Sequence, residues 1–149
     1  MRCLFVALAL QMKILLVNGQ TRTAKPLVEK IRKRIYETGW EELTSSLNAL
    51  ECLAACYDGR QEDVEEWLKK TAPDENNDIF MMDMYAYLVK VRCYLQTGKY
   101  MVAHVLVKQL IALLTTGNRH MDLCECYMLS AMACYKACLL YTSPSPRDS

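Results

Sequence analysis

At 149 residues the chain is long enough for one domain with a buried core. Apolar residues make up 52% of it and charged residues 23%, a balance that excludes an intrinsically disordered chain. The net charge of +1 excludes a strong bulk attraction to nucleic acid or to a membrane surface.

The first predicted helix spans residues 2–17 and carries an apolar run behind Arg2. Such a run is also typical of a signal peptide, but Gln11 and Lys13 interrupt it. A membrane span would need about 20 apolar residues. We therefore expect a repeat helix here. Because it lacks a capping residue, we interpret Met1 as an internal methionine.

The second predicted helix spans residues 21–38, with Thr21 or Thr23 as its cap and Pro26 in its first turn. Its outer face is basic, which is compatible with contacts to nucleic-acid phosphates. It is equally compatible with a solvated face beside an acidic neighbour. The second interpretation is favoured because residues 37–66 carry nine acidic side chains and one basic one.

A second hairpin is predicted over residues 40–71, and a loop follows it at residues 72–78. Trp67 is expected to fill a large packing position in the shorter helix of this hairpin. The loop carries acidic and amide side chains but lacks the central glycine of an EF-hand calcium loop. We therefore expect a turn between repeats rather than a cation site.

The clearest helical pattern lies in residues 79–116, where Gly98 separates two apolar-periodic segments. Glycine readily takes the left-handed conformation that ends a helix, so this arrangement favours an αα-hairpin. In the second segment, apolar residues follow the three-and-four spacing of one helix face rather than the alternation of a strand. These residues are Ala103, Leu106, Val107, Leu110, Ile111 and Leu114.

Glycines recur at a fixed interval, which is typical of stacked helical repeats. Gly19, Gly59 and Gly98 lie 40 and 39 residues apart. Five positions after each glycine comes a small or slim residue, and eight positions after it comes a large apolar one. The small residues are Ala24, Val64 and Ala103, and the large ones are Leu27, Trp67 and Leu106.

The predicted fold is therefore all-α: a right-handed αα-hairpin solenoid of tetratricopeptide-like repeats, with a period of about 40 residues. An unrelated helical bundle is the alternative. Roughly three and a half repeats occupy residues 1–137, which we expect to form one domain. The predicted hairpins are residues 2–38, 40–71, 79–116 and 119–137.

Residues 138–149 differ in character from the rest of the chain. Cys138 stands where the period predicts a glycine, and two Ser-Pro pairs disfavour a helix. The segment resembles the conceptual translation of a sequencing adapter. We therefore expect it to be non-native and disordered.

Seven cysteines precede this tail, scattered mainly inside predicted helices, which indicates free thiols in a reducing compartment rather than disulfides. His120, Cys124 and Cys126 form the one cluster that resembles a metal site. On a helix Cys126 points away from the other two and a fourth ligand is lacking, so no metal site is expected. The sequence has no phosphate-binding loop, nucleophile elbow or zinc-protease motif. We expect no catalytic residue and no cofactor in this chain.

Residues 48–137 resemble the tetratricopeptide-like sensor region of MalT-like, LuxR-family bacterial transcriptional regulators. That family's repeats carry an Ala-Arg-x-Leu-Leu-Ala-x-Gly segment and then an alanine five residues on. Residues 91–98 read Val-Arg-Cys-Tyr-Leu-Gln-Thr-Gly, and Ala103 follows at that distance. Residues 129–133 match the family's Leu-x-Ala-Leu-Ala run, and Trp67 with its following leucine is a further match.

The chain departs from this family's pattern at two positions. Val91 and Val64 stand where the family's repeats have alanine, which leaves another repeat family open. The matching motifs concern helix packing, so they indicate architecture more strongly than function.

The resemblance implies a cytoplasmic activator in which this region lies between an ATPase and a helix-turn-helix domain. ATP and DNA would bind only those other domains of the parent protein, and no membrane contact is implied. The repeats would take a small inducer or a partner protein on their concave face, where Tyr85, Lys90 and Arg92 are the candidate groove residues. The rivals are a stand-alone tetratricopeptide scaffold for protein–protein interaction and a fragment of an enzyme.

Overall fold

A computed structural model describes residues 2–76, 78–80 and 83–142. Within these residues the chain forms seven α-helices and a 3₁₀ turn at Glu41–Leu43, and no strand. The all-α class predicted from the sequence is confirmed. The helices are α1 Arg2–Val17, α2 Thr21–Thr38, α3 Thr44–Asp58, α4 Gln61–Lys70, α5 Met84–Gln96, α6 Tyr100–Leu114 and α7 His120–Thr142.

The chain divides into two compact units, one through Val89 and the other from Lys90 onward. In the first unit α1 packs on α2 and α3, α2 packs on α3, and α3 packs on α4. The hairpin of α1 and α2 therefore contacts the hairpin of α3 and α4, as neighbouring helical repeats do. In the second unit α6 packs along α7. The right-handed sense of the solenoid stays a prediction.

Four helix ends share one bonding pattern that a glycine makes possible. The φ angles at Gly19, Gly39, Gly59 and Gly98 are 74°, 69°, 71° and 81°. After Gly59 the N–H of Arg60 donates to the carbonyl of Ala55 at 3.0 Å, and the other three turns repeat this bond. Such a bond is the Schellman motif, in which glycine supplies the left-handed residue. Gly117 does not share the pattern, because α6 ends earlier, at Leu114.

The buried residues follow the predicted helix stripes. In the first unit the stripes of α2 and α3 face inward, as expected from their spacing. In α6 the predicted stripe is buried except at Ile111, which is half-buried. The buried stripe residues are Ala24, Val28, Ile31 and Ile35 in α2, Leu47, Leu50, Leu53 and Ala54 in α3, and Ala103, Leu106, Val107, Leu110 and Leu114 in α6.

The apolar first helix packs as a repeat helix within its unit. Met12 and Leu16 are fully buried where α1 meets α2 and α3. Lys13, which interrupts the apolar run, places its Nζ 4.9 Å from the ring centre of Tyr85. These contacts agree with the repeat interpretation of the segment.

The loop after α4 is a structured turn. The Oδ1 of Asp74 accepts hydrogen bonds from the backbone N–H and the side-chain amide of Asn76, at 2.9 and 3.0 Å. The hydroxyl of Tyr87 donates to the carbonyl oxygen of Asp74 at 3.0 Å. Burial, together with Asp83, Glu75 and Asp74, raises the pKa of Tyr87, so this hydroxyl remains a donor.

The starts of two helices differ from the prediction. At the start of α2, Gln20 is the capping residue and makes no side-chain cap bond, so neither Thr21 nor Thr23 caps the helix. Helix α5 begins at Met84 rather than Ile79, directly after Asp83, a residue type that favours helix starts.

The last described helix is longer than predicted. Helix α7 continues through Thr142, five residues beyond the expected end at Ala137. The residues from 138 to 142 contain no proline, and a proline restricts only itself and the residue before it. Residues 143–149, the remainder of the segment expected to be disordered, lie outside the described residues.

Candidate functional site

The small residues that follow the turn glycines lie at closely packed helix contacts. Ala24, Val64 and Ala103 each have no exposed surface. Five residues after a left-handed glycine, each lies on the inward stripe of the second helix of its hairpin. Their burial could be expected from the sequence, because the inward-facing residues of a helix recur at the helical spacing.

The large residues of the same stripes differ more in their exposed fraction. Leu106 is 1% exposed and Trp67 is 7% exposed, while Leu27 is half-buried. The indole N–H of Trp67 is buried and has no acceptor among the described residues. An unsatisfied buried donor costs roughly 1–3 kcal/mol, so this N–H favours an acceptor beyond those that the described residues provide.

The three candidate groove residues differ in exposure. Tyr85 is half-buried, with the ammonium of Lys13 over its ring. Arg92 is also half-buried, and its Nη2 lies 2.9 Å from Oε1 of Glu125. Lys90 is only 4% exposed, with its Nζ 5.9 Å from the ring centre of Tyr94.

The position of Lys90 corrects the expectation of a surface residue. Helix α5 is buried on nearly all sides, so a charged side chain there has little room to reach solvent. Arg92 is already held by a carboxylate on α7. Neither cation is a freely accessible ligand contact in this structure.

An open groove lies between α3 and α4 within the first unit. Its volume is about 360 Å³, within the range of small-molecule sites, and most of its lining is polar. Trp67 lies in its wall. The lining residues are Asn48, Glu51, Cys52 and Ala55 from α3, and Arg60, Asp63, Glu66, Trp67, Lys70 and Thr71 from α4 and its ends.

Ion pairs hold the charged side chains of this groove. On α4, Arg60 bonds Asp63 at 2.8 Å and Lys70 bonds Glu66 at 2.9 Å. On the α3 side, Glu51 accepts a bond of 2.7 Å from Arg32 of α2. The predicted complementarity between the basic face of α2 and the acidic segment after it is thus seen at Arg32.

A second surface of interest is the outward face of α7. We use this name for nine exposed residues that carry no charge: Met121, Cys124, Tyr127, Met128, Ala131, Met132, Tyr135, Cys138 and Leu139. The opposite side of the helix packs inward through Cys126, Leu129 and Ala133, which are fully buried. An uncharged helix face of this length is typical of an interaction surface.

Helix α7 also has a membrane-like composition. The stretch His120–Leu140 is long and apolar enough to cross a membrane by length and composition, and 17% of its apolar window is buried. It nevertheless contains Asp122, Glu125 and Lys136, and it packs along α6. A single such helix is weak support for a membrane span, and we treat α7 as a hairpin helix.

The candidate metal cluster of His120, Cys124 and Cys126 is divided between the exposed and the buried side of α7, as the helical spacing predicts. Cys124 and His120 are exposed, whereas Cys126 is fully buried. Burial, assisted by the carboxylates of Glu125 and Asp122, raises the pKa of Cys126 to about 12. Its thiol therefore stays protonated at neutral pH, which is unsuited to metal binding because a metal binds the thiolate.

Sequence reasoning missed the groove and one side-chain contact. The Sγ of Cys134 lies 3.6 Å from Nδ1 of His104, joining α7 to α6. Thirty residues separate the two, and neither lies in a motif, so only the packing of the helices brings them together. Comparison with known proteins adds no assignment to these features, since no protein family, curated protein or solved structure matches this chain.

Proposed function

We propose that this chain is a helical-repeat interaction module, and specifically the signal-sensing region of a MalT-like, LuxR-family transcriptional activator of the cytoplasm. The proposal assigns it no catalytic step. ATP and promoter DNA would bind other domains of the parent protein. The choice of regulator rests on the resemblance of the repeat motifs, and the choice of a binding role rests on the groove between α3 and α4.

The observation that carries the binding role is the composition of this groove. It combines a volume of about 360 Å³, paired charges of both signs, and Trp67, whose buried indole N–H lacks an acceptor among the described residues. A lining of polar side chains of both charges beside one indole ring suits a small polar ligand rather than an apolar one. We infer a small polar inducer that carries both hydrogen-bond donors and acceptors.

Binding in this groove would act on the arrangement of the hairpins. The groove is formed by α3 and α4, and α3 also packs on α1 and α2. A ligand that fits one spacing of α3 and α4 better than another stabilises that arrangement by its difference in affinity. The stacked contacts of α3 would then pass the change to the adjacent hairpin.

The test uses Trp67 as its own reporter. The chain has two tryptophans, so Trp40→Phe leaves Trp67 as the single indole fluorophore. This variant is titrated with a panel of sugars, amino acids and nucleosides. We expect at least one class to shift the emission of Trp67 saturably, because a ligand at the groove changes the polarity around the ring.

A matched pair of charge reversals locates the binding. Asp63 and Glu62 are both exposed in the first turn of α4, but only Asp63 lines the groove. Asp63→Lys should weaken the response about tenfold or more, a loss typical of a removed charged contact. Glu62→Lys should leave it unchanged. Equal effects of the two substitutions, or no response to any compound, would exclude a small-molecule site here.

The stand-alone scaffold is the second candidate, and the outward face of α7 favours it. By the repeat period, Met128 and Met132 of α7 correspond to Ala49 and Leu53 of α3. The α3 residues are buried, whereas those on α7 are 49% and 41% exposed. An amphipathic helix of the α4 type would cover the same positions on α7.

The scaffold and the sensor differ in what they bind. Binding of a peptide with the α4 sequence to the chain, weakened by Met132→Lys, would support the scaffold if the small-molecule panel gives no response. A saturable response of Trp67 with no peptide binding would support the sensor.

A further inference from the structure

The contact between Cys134 and His104 brings a thiol and a base together outside the groove. The Sγ–Nδ1 distance is 3.6 Å, which is hydrogen-bond range for sulfur. Cys134 is exposed and His104 is half-buried, so solutes can reach the sulfur while part of the imidazole is covered. Both residues belong to the second unit, where α6 packs along α7.

The packing of the two helices explains the contact. Ala103 and Ala133 directly precede the pair and are both fully buried. Small buried side chains let two helix backbones approach closely, and the next residue on each helix then lies at the edge of the contact. The pair therefore lies at the edge of the contact between α6 and α7.

We propose that Cys134 is a reactive thiol and that His104 is the group that accepts its proton. The co-reactant that we infer is a small-molecule disulfide, such as oxidised glutathione. This assignment is independent of the proposed inducer site, because it lies in the other unit and involves none of the groove residues.

The exchange reaction balances in one step. As the proton of the thiol moves to Nδ1 of His104, the sulfur of Cys134 attacks one sulfur of the small disulfide. A new S–S bond forms between Cys134 and that half of the reagent, and the old S–S bond breaks. The departing thiolate takes the proton from the imidazolium and leaves as a thiol. A mixed disulfide on α7 remains.

Other cysteines of the chain provide internal comparisons. Cys126 is buried with its thiol held protonated, so it should not react in the folded chain. Cys124 is exposed on the same helix and shows no comparable contact among the described residues. A difference between Cys134 and Cys124 therefore reports the effect of the imidazole rather than of exposure.

The experiment treats the intact chain with oxidised glutathione at neutral pH. Samples are quenched with acid over time, and mass spectrometry of the peptides gives the fraction of each cysteine converted. We expect Cys134 to react roughly ten times faster than Cys124, a modest effect for a positioned proton acceptor. His104→Gln should reduce the rate at Cys134 to that of Cys124.

A second variant separates proton acceptance from a simple polar contact. His104→Asn keeps a polar atom near the position of Nδ1 but cannot accept the proton at neutral pH. It should slow Cys134 as much as His104→Gln does. The rate at Cys124, measured in the same sample, should remain constant and show that α7 stays folded.

Two results would overturn the assignment. One is a rate at Cys134 no greater than that at Cys124 in the unmodified chain. The other is a fast Cys134 that remains fast in both His104 variants, which would mean that exposure alone makes this thiol reactive.

Discussion

Single glycines determine where four of the described helices end, namely α1, α2, α3 and α5. Four glycines at positive φ each allow the following N–H to reach a carbonyl five residues back. A side chain at these positions would meet no neighbour. At Gly59, for example, no atom lies within 4 Å of the place that a Cβ would occupy. The requirement for glycine is therefore one of backbone conformation and not of space.

Replacing Gly59 tests this conclusion directly. Gly59→Ala should lower the free energy of unfolding by about 1–2 kcal/mol, the cost of a left-handed conformation for an L-residue. Gly117→Ala is the control, because Gly117 lacks positive φ and its Cβ would meet only the Leu114 carbonyl, at 4.0 Å. Urea denaturation of the two variants gives the comparison, and equal losses would mean that conformation is not the cause.

At the scale of single residues, the features that depend on local backbone geometry could be predicted from the sequence. The turn glycines and the small residues after them could be read from spacing, because helix ends and helix stripes have fixed periods. The burial of Lys90 could not be predicted, since a charged residue is ordinarily exposed and only tertiary packing buries it. The pair of Cys134 and His104 likewise depends on how two helices meet.

At the scale of the element, the helices pack on one another through their buried stripes. Two helices approach most closely where a stripe carries a small residue. Ala103 has no exposed surface in the first turn of α6, which packs along α7. Added volume there would push the two helices apart. The same change on the opposite face of α6 would extend only into solvent.

Ala103→Leu should therefore lower the free energy of unfolding by about 1–3 kcal/mol, the usual cost of overpacking a core. Ala112→Leu is the matched control on the exposed face of the same helix, and its effect should stay within about 0.5 kcal/mol. Thermal and urea unfolding followed by circular dichroism at 222 nm measure both. A tolerated Ala103→Leu would show that α6 and α7 are loosely packed.

The existence of the helices was easier to predict than their ends. Apolar periodicity identified every helix, but it continues through Ile79 and Phe80, which precede the start of α5. An apolar run has no start signal of its own, and aspartate, a residue type that favours helix starts, stands both at Asp78 and at Asp83, so the sequence leaves two starts open. At the other end of the described chain, α7 continues through residues 138–142. Their composition is not that of a repeat, but they contain no proline, so the helix can continue.

For the whole molecule, stacking of hairpins explains the fold, while function depends on surfaces that stacking leaves open. Contacts of α3 with α1, α2 and α4 make the repeat arrangement of the first unit clear. The groove beside Trp67 could not be predicted, because its wall combines residues of two helices whose outer positions follow no period. The proposed assignment to a regulator predicts two further domains, an ATPase and a helix-turn-helix, in the parent protein.

Long-read sequencing of the gene and its surroundings tests the central claim most directly. The account predicts one reading frame with an ATPase domain upstream, a helix-turn-helix domain downstream, and a glycine codon in place of Cys138. A frame in which Cys138 to Ser149 is encoded and followed by a stop codon, with neither domain present, would contradict the regulator and identify a short repeat scaffold instead.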